Sequence, residues 1–130
     1  MNKLFLILGI ILLLSSSCKD DEKRTSFMGS WNCEEHSDEL GTRLYQTNIL
    51  RNPYTQNEHD YVINNFHNLG SDTEVFVTEE ESGKLTITGT SYNGIAFVGY
   101  GVIADDFSNI KWQYQVNDGL SNPWVTSTYY

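Results

Sequence analysis

The stretch "NIKWQYQV" (Asn109–Val116) decides the fold. Ile110, Trp112, Tyr114 and Val116 fall on one parity; Lys111, Gln113 and Gln115 fall on the other. Successive side chains of a strand point to opposite faces, so this is the pattern of a sheet with one buried and one wet side. A helix would scatter these four apolar residues around its circumference.

Working outward, the same texture repeats. Leu85 and Ile87 alternate against Lys84, Thr86 and Thr88. Eight strands are expected: 29–36, 43–50, 60–66, 74–78, 84–88, 95–102, 109–116 and 124–129. Turn signals separate them: Asn52-Pro53, Asn68-Leu69-Gly70-Ser71, Glu81-Ser82-Gly83, Tyr92-Asn93-Gly94 and Asn117-Asp118-Gly119. No segment after residue 24 carries a convincing helical period. Short strands at this spacing predict an all-β architecture. Connections this short make neighbours antiparallel. The expectation is an up-and-down meander of about eight strands that closes into a barrel, with an open β-sandwich as the alternative. A barrel of this size has room for packed side chains or one small ligand. Gly99 and Gly101 flank Tyr100 inside the sixth strand. They predict a bend where the barrel turns, or else close approach of a ligand to backbone.

The N-terminal part has a different character. Leu4–Leu14 ("LFLILGIILLL") is apolar throughout, yet shorter than the roughly 20 residues that span a bilayer. With small serines after it, it reads as the apolar core of an export signal. Then comes "LLSSSCKDDEKR" (Leu13–Arg24). Its Ser-Ser-Ser-Cys resembles the lipobox of bacterial lipoproteins, which implies cleavage before Cys18 and a lipid on its thiol. Several acyl chains at about 0.8 kcal/mol per buried methylene hold a small protein at a membrane. The expected organisation is a signal at 1–17, a lipidated cysteine and acidic tether at 18–26, and a barrel domain at 27–130.

Cleavage removes Lys3 and no acid, taking the formal charge from −9 to −10. Such a surface repels nucleic-acid phosphates, so no nucleic-acid partner is expected. With Cys18 lipidated, Cys33 has no partner for a disulfide. The domain must be held by its core.

Several motifs resemble the lipocalin-like lipoproteins of the Bacteroidetes. They are Gly29-Ser30-Trp31, Asn64-Asn65-Phe66, Leu85-Thr86-Ile87, Gly99-Tyr100-Gly101 and Ile110–Gly119. The resemblance covers residues 27–120. It implies a lipocalin-like eight-stranded barrel with Trp31 across its base, and it brings no catalytic residues. Cys18-Lys19-Asp20-Asp21-Glu22 is similar to the signal that sends such lipoproteins to the outer face of the outer membrane.

No constellation promises catalysis, a metal or a cofactor. His36, His59 and His67 show no ligand spacing. Asp105, Asp106 and Asp118 have the chemistry for calcium, but also for ordinary turns. There is no nucleophile elbow and no phosphate-cradling glycine loop. Trp124, Tyr129, Tyr130, Tyr92 and Tyr54 are either glycan-stacking platforms or, near the C-terminus, parts of a strand that closes the barrel. Two functions follow. One is a non-catalytic binding module for a small apolar ligand or glycan, lined by Trp31, Phe97, Tyr100, Trp112 and Tyr114. The other is an accessory interaction protein of a cell-surface complex with a filled core.

Overall fold

The computed structural model describes residues 23–130, so the apolar leader and Cys18 lie outside the described residues. The strands are β1 (Gly29–Ser37), β2 (Gly41–Arg51), β3 (Asp60–Asn64), β4 (Glu74–Glu81), β5 (Lys84–Thr90), β6 (Ala96–Ile103), β7 (Ile110–Asn117) and β8 (Trp124–Tyr129). Each pairs antiparallel with the next, and β8 returns to β1, with Cys33 opposite Tyr129 and Ser37 opposite Val125. Asn32 and Tyr130 extend that seam by exchanging backbone hydrogen bonds of 3.0 and 2.9 Å. The molecule is a closed up-and-down barrel and not an open sandwich.

Alternation builds the core. β7 sends Ile110, Trp112, Tyr114 and Val116 inward, as its sequence predicts. β1 contributes Trp31, Cys33 and Glu35; β8 contributes Val125, Ser127 and Tyr129. The cluster of C-terminal aromatics is therefore divided by parity. Tyr129 is inside, whereas Trp124 and Tyr130 are exposed.

One expectation needs correction. The third strand stops at Asn64 and does not reach Phe66. Asn65, His67 and Asn68 all take left-handed backbone conformations, with φ of 57°, 55° and 57°. A strand cannot propagate through them. Asn65 holds the break: its Oδ1 accepts from the Gly70 N–H at 2.8 Å and its Nδ2 donates to the Gln46 carbonyl at 2.7 Å. Asparagine tolerates this backbone better than most residues. The chain instead forms a short 3-10 turn, Phe66–Asn68, that folds over one end of the barrel.

Gly99 and Gly101 have a further role. The β6–β7 ladder runs one-to-one across them, from Ala96–Asn117 to Ile103–Ile110. They make room. A Cβ at Gly101 would sit 2.7 to 2.9 Å from the indole of Trp112, and one at Gly99 would sit 2.2 Å from the Gln113 carbonyl oxygen. The close approach is by the neighbouring strand.

Candidate functional site

Four of the five residues read as lining lie in the interior. Trp31, Phe97, Trp112 and Tyr114 are buried. Tyr100 is not among them. It is 39 % exposed on the outer face of β6, with the Lys84 ammonium 4.8 Å from its ring centroid. On a regular strand Phe97 and Tyr100, three residues apart, cannot share a face. Phe97 and Ile103 carry the inner parity, with the two glycines between them.

The interior residues pack on one another. Phe66 meets Phe97, Trp112 and Tyr114 at centroid distances of 5.2, 5.5 and 4.7 Å. Trp112 meets Tyr129 at 5.6 Å. These offset and edge-on contacts are the favoured ring geometries. The space that a ligand would occupy in an open barrel is filled here by the protein's own rings.

Beside this aromatic core lies a polar network with Glu35 at its centre. The Glu35 carboxylate is fully buried. Its Oε1 accepts from the Tyr45 hydroxyl, the Tyr114 hydroxyl and His67 Nδ1, each at 2.8 Å. Its Oε2 accepts from Arg43 Nε at 2.7 Å, and Arg43 Nη2 joins the pair. Arg43 Nη2 also donates to the His67 carbonyl at 3.0 Å. A buried charge is costly unless it is paired and hydrogen-bonded, and Glu35 has both.

Local structure explains how these groups meet. Glu35 follows Trp31 and Cys33 on the inner parity of β1. The hairpin register sets Glu35 opposite Arg43 and Cys33 opposite Tyr45. Tyr114 arrives from β7 across the barrel. His67 is delivered by the left-handed turn, and it is only 7 % exposed. Left-handed backbone at non-glycine residues costs energy and persists where surrounding contacts impose it.

The electrostatics fix the protonation states. Burial pushes the Glu35 carboxyl upward, but the hydrogen bond and charge of His67 and the hydroxyls of Tyr114 and Tyr45 outweigh it, and its pKa falls to about 2. Burial, and then the Glu35 charge, push the Tyr114 hydroxyl far above its ordinary range; burial does the same for Tyr45. Burial pushes the nearby Cys33 thiol up to about 11. At neutral pH Glu35 is an anion and the two phenols are donors. Neither the carboxylate nor the phenols are poised to exchange protons there. The network positions side chains.

His67 and Arg43 carry the network to the surface. Together with Leu69, Ile95, Val116 and Val125 they line a cleft of about 220 Å³ at the barrel mouth, beside the β1–β2 hairpin. Sequence reasoning missed Glu35, Arg43, Tyr45 and His67. For the first three the signal was parity; for His67 there was none. Among the described residues, no group of three or more His, Cys, Asp and Glu side chains converges on a metal-sized site.

No protein-family model and no curated protein matches the chain. Among solved structures it is similar to a redesigned beta barrel, at 14 % identity and a TM-score of 0.54. The match covers 79 % of this chain and 89 % of that one. This likeness is one of fold alone.

Proposed function

We propose that this chain is a lipid-anchored, non-catalytic interaction module of a bacterial cell surface, built on a lipocalin-like barrel. Cys18 carries the lipid, and the Lys19-Asp20-Asp21-Glu22 segment directs display on the outer membrane. The observation that carries the reading is the filled interior. Trp31, Phe66, Phe97, Trp112, Tyr114 and Tyr129 occupy the space a ligand would need, and Glu35 and the phenols are held away from proton exchange. A partner is left with the outside and the mouth.

Among the described residues, the outside offers an unprotected apolar row on β6. On β3 and β4 the outward Val62 is buried between Leu50 and Phe76, and Tyr54 from the β2–β3 loop packs its ring 6.2 Å from that of Phe76. On β6 the outward Val98, Tyr100 and Val102 stay exposed, Val98 by 66 %. Beside Val98 the β5–β6 ladder has already ended, at Thr86–Tyr100. An uncovered apolar row is the feature a protein partner would cover.

The test uses the full chain in its host membrane, with a photo-crosslinking residue at position 98 or, on the opposite wall, at position 46. Discrete protein adducts from position 98 alone are expected. Adducts from neither position, or equally from both, would overturn the reading of β6 as the partner face. In the same cells Cys18→Ser should release the protein from membranes; retention there would remove the anchor.

A further inference from the structure

We propose that the mouth cleft is a binding site for a small neutral hydroxylated molecule, the size of a single sugar ring. It rests on the reading above in one respect: with the interior filled, a small ligand has to bind at the mouth.

The floor supplies the polar contacts. Glu35 is an acceptor only, so His67 Nδ1, 2.8 Å from its Oε1, carries the proton of that hydrogen bond. That leaves Nε2 as the ring's second polar atom. It has no hydrogen-bond partner among the described residues, although His67 is more than nine-tenths buried. His67 is one of the residues that line the cleft. Arg43 spends Nε and Nη2 on Glu35 and on the His67 carbonyl, which leaves Nη1 as an unused donor on a residue that lines the same cleft. A hydroxyl both donates and accepts, so hydroxyl groups suit Nε2 and Nη1 alike.

The rim argues the same way. Glu39 and Asp118 line the cleft, and the charge of Arg43 is already matched by Glu35. A free anion would meet net negative charge. The walls are apolar: Leu40, Leu69, Ile95, Val116 and Val125. A sugar ring presents hydroxyls on its edge and C–H groups on its faces, which suits a polar floor between apolar walls. The volume, about 220 Å³, lies below the ~300–1,000 Å³ of drug-sized sites, so one ring fits and a long acyl chain does not.

The backbone supports a built site. Three left-handed residues within four positions are a strained way to close a barrel. A solvent-facing turn needs no buried imidazole with a free nitrogen.

The experiment titrates the full chain, in detergent, with methyl glycosides of glucose, galactose, mannose and N-acetylglucosamine, and with hexanoate as an apolar anion. The readouts are methyl resonances of Ile95, Val116 and Val125 and the Nε2 resonance of His67. At least one glycoside should shift both sets saturably, and hexanoate should not. His67→Asn keeps a residue that tolerates the left-handed backbone and can still donate to Glu35, but lacks Nε2. It should weaken binding roughly tenfold, the loss of about one hydrogen bond. Leu40→Trp, on the exposed hairpin, should fill the cleft and block binding while leaving the network and the dispersion of the methyl spectrum intact. No saturable shift with any glycoside, preference for hexanoate, or binding untouched by both variants would each overturn the proposal. Crosslinking from position 98 does not involve the cleft, so either idea can fail while the other stands.

Discussion

The two ends of this barrel are closed by different chemistry. At the base, Phe27 packs edge-on against Tyr61 at 4.7 Å, and Trp31 donates its indole N–H to the Phe27 carbonyl at 2.8 Å. The Arg24 guanidinium lies 3.7 Å from the Trp31 ring centroid. Rings and one hydrogen bond close that end, with cations only on the outside. At the mouth, the closure is an ionised carboxylate inside the barrel, tied to a cation, an imidazole and two phenols. The base gains stability from burial and one uncharged hydrogen bond, both insensitive to acid. The mouth holds a charge where charge is costly, and in return every group around it has one defined position. That difference predicts where the molecule is brittle.

The largest effect is expected at Glu35. Glu35→Ala leaves Arg43 without its partner, and breaking a buried pair costs about 3–5 kcal/mol. Urea unfolding measures it, and a loss below about 1 kcal/mol would mean that the mouth is solvated and not closed. Acid separates the two ends more sharply. The Glu35 carboxyl sits at about 2 in the folded chain against an ordinary 4.5. Its contribution is therefore complete above the ordinary value and is lost as pH falls from about 4.5 toward 2. The shift amounts to about 3 kcal/mol. Wild type should lose stability through that window. Glu35→Gln should lose less, the difference between the two isolating Glu35 from the exposed carboxyls. Parallel curves would show that the carboxylate is not held as described.

These residues also mark how far the sequence could be read. Strand positions followed from parity and turn residues, and so did the inward direction of Trp31, Phe97, Trp112 and Tyr114. The Glu35–Arg43 pair was within reach: both stand on the inner parity of adjacent strands. A charged residue on an inner parity looks like a lapse in the pattern until its partner is found on the next strand. His67 was out of reach. Its place depends on three left-handed residues, which obey neither the period of a strand nor that of a helix. Tyr100 misled because a large aromatic reads as core, whereas on β6 the inner positions belong to two glycines that make room for Trp112 and the β7 backbone.

A middle-sized effect is expected at the base. Trp31→Phe keeps a ring but removes the donor to Phe27, leaving a buried carbonyl unpaired at a cost of about 1–3 kcal/mol. Chemical unfolding at pH 7 and pH 3 should give the same loss, because no titrating group is involved. A loss that changes with pH would mean that the base and the mouth are coupled through the aromatic core.

The smallest effect is expected at Tyr100, and it tests whether that core is as closed as its rings imply. Tyr100→Ser removes a large aromatic from the centre of β6, yet the ring faces outward and touches the solvent-facing Lys84. The lost cation–π contact is of the exposed kind, about 0.5–1 kcal/mol. Were Tyr100 a lining residue, the same change would open a cavity in the core and cost about 3–5 kcal/mol, as for other large aromatic truncations. The two outcomes differ by more than the error of a denaturation curve. A small loss leaves β6 with its inner face committed to Trp112 and its outer face free for a partner. That free outer face is what sets β6 apart from β3, whose outward valine is already buried between Leu50 and Phe76.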